Sequence, residues 1–471
     1  MIGRYSEWIA STVSQQISSS HSSSSPIFAA SIISVLLSAS VDNNPRVQTS
    51  ALASVNLLIE SISTLSYDEQ EYVMNEELME TLLKHIGEGF KRYNDRNRIL
   101  LCDMLAGLCE CEHSNMASPK HLPLYLPSVM HNFLVVQSDN RSIQLFPIME
   151  SICSVLKVIG MNSQMYAPAL LARSLQISFE ALKVHQEELE DQLEISSDPE
   201  KQNQADARVI SGFGGYNIDF VICSLDIIGS LAESLNSNFS TLICETDSMD
   251  QLIRVLLYSL EQTSETELLQ SAFALVGELV QKSFTLLIAD GGAVLMKILA
   301  KIVFILRLPA LPLAVHSNCL WASGEIINQM GSSEATLGFI RAMLPSIMIL
   351  LHLHGQPSVT RAKECLSQPP VVMAKAAALA SERHHRDNED DDYDFEDEND
   401  NDDIGVELLP QLYLLMQNMC CVLGRIGCLS PALLVECILQ PINSFIPPVV
   451  EDGSSYLKNI ENIPSFHCWC R

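Results

Sequence analysis

ALVGELV, residues 274–280, returns 47 residues later as WASGEII, residues 321–327, with a Gly-Glu pair in the same place. VLGRIG (422–427) repeats the local pattern at Gly424, 100 residues after Gly324. If an irregular insertion of about 53 residues is set aside, that step is again about 47. Upstream, IIGSLAE (227–233) places Gly229 48 residues before Gly277. A period of roughly 40–47 residues holding two helices is the signature of HEAT-type α-solenoids, where each helix pair buries its apolar face only against its neighbours. A small residue at the repeated point lets adjacent helices approach closely. The spacing predicts an all-α, right-handed solenoid of antiparallel helix pairs.

The rest of the chain agrees with that reading. Amphipathic helical segments recur from 47–63 to 431–446, joined mostly by short polar connections, and no run alternates like a strand. The array is expected over 1–350 and again over 408–461, with a divergent end at 462–471. Two segments interrupt it. Residues 192–216 are polar and Gly-rich and read as a loop. Residues 354–407 form an insertion that includes DNEDDDYDFEDENDNDD (387–403), twelve acids without a base, predicted to be disordered and solvated.

The formal net charge is −29, of which that run supplies 12, so about −17 belongs to the folded array. Such a surface repels nucleic acid and anionic lipid and favours basic partners. The 14 cysteines show no four-ligand spacing for zinc and read as reduced, mostly buried thiols. IFAASIISVLLSASV (27–41) reads as a packed helix rather than a signal core. The apolar run 286–306 carries Asp290, Lys297 and Lys301 and fails as a membrane span. No phosphate loop, nucleophile elbow or HExxH helix is present. His384 and His385 sit beside the acidic run, where nothing would preorganise a site. The expectation is a protein without catalytic activity, metal or cofactor.

The acids within helices are more informative. Glu60, Asp103, Glu150, Asp226 and Glu278 each fall in the second helix of a candidate pair, among apolar residues. Taken singly, each could be an exposed or salt-bridged edge position. In five successive second helices they would form an electronegative track suited to an extended basic peptide. Trp321, one of three tryptophans, is either a core residue or a platform for such a ligand.

Several stretches resemble the transportin (karyopherin-β2) group of importin-β-family nuclear import receptors, in that group's order and spacing. They are NNPRVQTSALASVNLLIES (43–61), RYNDRNRILLCDMLAG (92–107), LFPIMESICSVL (145–156), IDFVICSLDIIGSLAE (218–233), LLQSAFALVGELV (268–280), SNCLWASGEIINQMG (317–331) and NMCCVLGRIG (418–427). The resemblance implies an armadillo-like helical receptor whose cargo arch binds basic, disordered nuclear localisation signals ending in a proline-tyrosine pair. It places Glu60, Asp103, Glu150, Asp226, Glu233 and Glu278 on acidic cargo-groove positions. Trp321 falls on the cargo-contacting tryptophan, with Leu313 and Asn418 on neighbouring groove positions. It further implies nucleoporin partners and movement between cytoplasm and nucleus. RYSEW (4–8) resembles a motif from the middle of such receptors, so the arch that binds the GTPase Ran is expected to be missing. After Ile460 the similarity ends, and NIPSFHCWCR looks like a premature terminus. A HEAT-repeat scaffold that organises a complex without a transport cycle is the rival reading.

Overall fold

The computed structural model describes residues 25–63, 70, 73–111, 114–137, 139, 142, 144–197, 214–366 and 404–439. RYSEW, His384, His385, the acidic run and the divergent end lie outside the described residues. Every regular element among the described residues is a helix. The chain divides into two compact units, Met1–Val255 and Leu256–Arg471.

In the first unit the helices are α1 (Ser25–Ala39), α2 (Pro45–Ser63), α3 (Glu76–Arg92), α4 (Asp95–Glu110), α5 (Leu122–His131), α6 (Leu145–Ile159), α7 (Ala167–Ser197), α8 (Gly214–Leu235) and α9 (Asn238–Glu245). α10 (Met249–Glu261) carries the division between the units. α2, α4, α6 and α8 pack side by side as one layer, and α3 packs on α5 in the other. α1 packs on α2, α3 on α4 and α7 on α8, which closes the helix pairs. This is the α-solenoid arrangement of HEAT repeats that the sequence period predicts.

Each layer helix turns one apolar stripe inward. Leu52, Val55, Leu58 and Ile59 of α2 meet Leu101, Met104, Leu105 and Leu108 of α4, all at most 1% exposed. Burying each such side chain stabilises the fold by about 1.5–3 kcal/mol relative to exposure. Local signals set the ends. Asn75 caps α3 by accepting from the Leu78 N–H at 2.9 Å, and Asn94 caps α4 by accepting from Asn97 at 3.0 Å. α3 begins with Glu76 and Glu77 and ends with Lys91 and Arg92, complementing the helix dipole. Pro127 interrupts α5, which passes into a π-helical turn over Asn132–Val136. Arg173 of α7 lies 5.1 Å from the Phe133 ring centre and donates to the carbonyls of Leu134 and Gln137, so the loosened turn is pinned.

The second unit continues with α11 (Thr266–Ile288), α12 (Ala293–Ile305), α13 (Leu313–Met330), α14 (Glu334–Leu366), α15 (Ile404–Leu429) and α16 (Pro431–Leu439). α11, α13 and α15 form one layer, while α12 packs on α14 and α14 on α16 in the other. Two helices outrun their sequence-based limits. α7 extends to Ser197, into the span read as a loop, because QEELEDQLE is rich in good helix formers despite its polarity. α14 extends to Leu366, into the span read as the insertion.

Four helical stretches among the described residues are long and apolar enough to cross a membrane, within α6, α11, α14 and α15. Each packs against other helices of its unit, and they carry Glu150, Glu278, Arg341 and Arg425 respectively.

Two histidines, His85 half-buried and His316 buried, give stability a pH dependence. Burial holds His85 below its ordinary range, where its Nε2 sits 3.0 Å from Ser40 Oγ and 3.1 Å from Tyr93 Oη. Burial also lowers His316, with His354 adding to it against main-chain contacts with Leu308 and Ile305. A histidine depressed in the folded state takes up its proton more readily when unfolded. Stability is therefore full above pH about 6.5 and falls as pH drops below it, by at most about 1.4 kcal/mol per pH unit for each histidine. Thermal melts at pH 7.5 and 5.5 should show a lower midpoint at the acid value. Equal midpoints would contradict a lowered proton affinity of both rings in the folded state.

Candidate functional site

The sequence-predicted acids of the first unit lie on neighbouring helices of one layer. Glu60 on α2 and Asp103 on α4 are half-buried, while Glu150 on α6 and Asp226 and Glu233 on α8 are exposed. Three thiols feel the charges of Asp103, Glu150 and Asp226. Burial pushes the Cys102 thiol up to about 12, and Asp103 and Glu150 add to it, against a hydrogen bond with Ser151. Burial pushes Cys223 up to about 12 as well, with Glu150, Asp226 and Asp219 all contributing. Cys153 is raised first by burial and then by Asp226, Cys223 and Glu150, with Lys157 opposing. Asp103, Glu150 and Asp226 thus follow one another across α4, α6 and α8, with Lys157 as a cation nearby. These thiols stay protonated at neutral pH and offer no nucleophile.

Asp219 was missed in the sequence. It precedes Asp226 by seven residues, as Glu233 follows it by seven, so the three share one face of α8. That spacing was the available signal. Asn56 of α2 donates to the Leu100 carbonyl of α4 at 3.0 Å, and Ile59 crosses Gly107, whose Cβ would lie 3.0 Å from its Cγ2. The helices that carry the acids are held at close range.

The second unit explains the Gly-Glu repeat. Gly277 of α11 is the seat of Trp321. A Cβ there would collide with Cζ3 and Cε3 of the indole and lie 2.7 Å from Cη2. At Gly324 of α13 a Cβ would lie 2.6 Å from Nη1 of Arg425. Arg425 donates through Nη2 to Glu325 at 2.8 Å, and the Glu325 side chain is 7% exposed. Glu325, one period after Glu278, is therefore a structural acid rather than a groove acid. Glu278 is half-buried on α11.

Trp321 is half-buried. With its benzo ring on Gly277, it also lines a cleft of about 500 Å³ between α13 and α15, together with Gly324, Leu414, Gln417, Cys421 and Arg425. Cys421 stands 100 residues after Trp321, at the equivalent position, and its small side chain leaves the space open. Asn418 borders the cleft, but its amide donates to the Ser317 carbonyl at 3.1 Å and to Ser317 Oγ at 2.9 Å. The same clamp appears one repeat earlier, where Asn318 donates to the Gln270 carbonyl at 3.0 Å. Leu313 opens α13, half-buried, and does not line the cleft. The structure brings Trp321 and Asn418 to one cleft and leaves Leu313 out of it.

These features define a class: an α-solenoid of HEAT-type helix pairs, with carboxylates presented from successive helices and an indole set over a cleft. The chain is transportin-like. It is 25% identical to Transportin-1 of Mus musculus over 324 residues, which is 68% of this chain and 30% of that protein. Transportin-1 of Homo sapiens matches to the same extent. Importin subunit beta-2 of Schizosaccharomyces pombe is 22% identical over 351 residues, 74% of this chain and 33% of that protein. The chain spans about a third of the length of the curated relatives it matches. No family model matches it. Among solved structures, yeast importin-beta aligns over 93% of this chain and 46% of its own, with a TM-score of 0.33 and 12% identity.

Proposed function

We propose that this chain recognises cargo for protein import into the nucleus, binding basic proline-tyrosine localisation signals as an extended peptide. The observation that carries this reading is the run of carboxylates, Asp103, Glu150 and Asp226, on three adjoining helices, with Glu150 sharing one thiol with Asp103 and two with Asp226. The names of the relatives, transportin and importin subunit beta-2, accord with a transport role.

Binding needs no chemistry. Packed helices are about 8–10 Å apart, and an extended chain advances about 3.3 Å per residue, so neighbouring carboxylates match basic residues about three positions apart. Net charge draws a basic segment in, and contacts along the peptide then fix it. In the second unit, Trp321 offers an indole face on which an aliphatic stem, a proline or a cationic side chain can rest. Such a receptor would work in both cytoplasm and nucleus.

Titration of the chain with a basic proline-tyrosine peptide tests the proposal. Asp103→Lys with Glu150→Lys should weaken binding about tenfold, and added salt should weaken the wild type, as expected for screened surface charges. Affinity indifferent to both would remove the acidic track as the binding surface. Equal affinity for a scrambled peptide would favour a scaffold instead.

A further inference from the structure

α6 carries a charge of the sign opposite to the track. Lys157 lies seven residues after Glu150, on the same helical face, and both residues are exposed. Seven residues advance the helix by about 10 Å, too far for the two to pair. Three and four positions before Lys157 stand Ser154 and Cys153, and three and four after it Gly160 and Met161, none of them an acid.

Two contacts fix α6 against α8. The Phe146 and Phe220 rings stack with centres 4.1 Å apart, and Ser234 Oγ donates to the Leu156 carbonyl at 2.7 Å. The second contact brings the turn that holds Lys157 to the turn that holds exposed Glu233. Among the described residues Lys157 nevertheless makes no ion pair. Its charge reaches the Cys153 thiol, where it opposes Asp226 and Glu150. Lys157 also lies in the last turn of α6, where the helix dipole favours a cation. The dipole would favour one anywhere around that turn; this one stands on the face that carries Glu150.

On the cargo binding proposed for these helices, on which this inference rests, we propose that Lys157 selects among basic peptides. It favours those with an acidic residue next to the basic residue that meets Glu150. Successive side chains of an extended peptide point to opposite sides, so when one turns to Glu150 its neighbour turns along α6 toward Lys157. An acidic side chain there finds a partner, and a lysine or arginine there is repelled. The fitting cargo is therefore a segment of mixed charge, with an acid set between its basic residues, and not an unbroken basic run.

Titration of the full chain with proline-tyrosine peptides that place Asp, Asn or Lys in turn at each position around the basic residues tests this. At one position the wild type should bind the Asp peptide about threefold tighter than the Asn peptide, and the Lys peptide about threefold weaker, the size of a single exposed charge contact. Lys157→Glu should reverse that order at the same position, and Lys157→Met should level it. Lys84→Glu makes the same change of net charge from an exposed position on α3 and should leave the order as it was. A scan in which no position prefers Asp, or a preference that survives Lys157→Glu, would overturn the inference and leave the cargo binding standing. If no peptide binds, or binding ignores Asp103→Lys with Glu150→Lys, the cargo binding falls and the inference with it.

Discussion

Arg425→Ala is expected to lower the stability of the second unit by about 3 kcal/mol, because removing one partner of a largely buried ion pair leaves the other charge uncompensated. Glu325 is the partner at risk. Its side chain is 7% exposed, and Arg425 Nη2 lies 2.8 Å from its Oε1. The guanidinium is itself 34% exposed, which keeps the cost at the lower end for such pairs. The change also uncovers Gly324, so α13 and α15 lose packing along with the charge pairing. Replacing both partners together, Glu325→Leu with Arg425→Met, should cost much less, since no charge remains to be desolvated. Urea unfolding followed by tryptophan fluorescence measures both. A loss below about 1 kcal/mol for Arg425→Ala would mean the pair behaves as an exposed surface bridge.

Trp321→Ala should weaken a basic proline-tyrosine peptide by about 2 kcal/mol or more, roughly 30-fold in Kd, as loss of an aromatic anchor does. Stability should change less than the about 3–5 kcal/mol of a buried aromatic, because the indole is half-buried and already borders an open cleft. Its removal widens that cleft instead of sealing a void. Gly277→Ala should act in the same direction, since the new methyl group would force the ring off its seat. Melting and peptide titration on one preparation separate the two effects. A large fall in melting temperature with undiminished affinity would make Trp321 a core residue.

The repeat was legible because it is written in local terms. Gly277, Gly324 and Gly424 recur within short apolar stretches, and the structure gives the reason at the first two, where a flat side chain needs the space. The carboxylates of α4, α6 and α8 were legible for a related reason: an acid in an apolar helix marks its solvent edge. What a side chain does across the layer was not legible. Glu325 and Arg425 are 100 residues apart, with the acidic insertion between them, so their pairing has no local trace. Asn418 was placed near Trp321 by resemblance, but its bonds to Ser317 depend on the approach of two helices. α7 ran past its expected end because helix propensity outweighed the polarity that had suggested a loop.

The amide clamps bear on how such a chain can diverge. Asn56, Asn318 and Asn418 each reach a main-chain carbonyl on the adjacent helix, at Leu100, Gln270 and Ser317. A carbonyl oxygen is supplied by every amino acid, so the acceptor positions can drift and keep these bonds, and only the added bond to the Ser317 hydroxyl depends on the residue there. Mutational constraint therefore falls on one side of each contact, and the asparagines bear it. An array joined in this way can exchange most of its residues over time and still stack its helices in the same register.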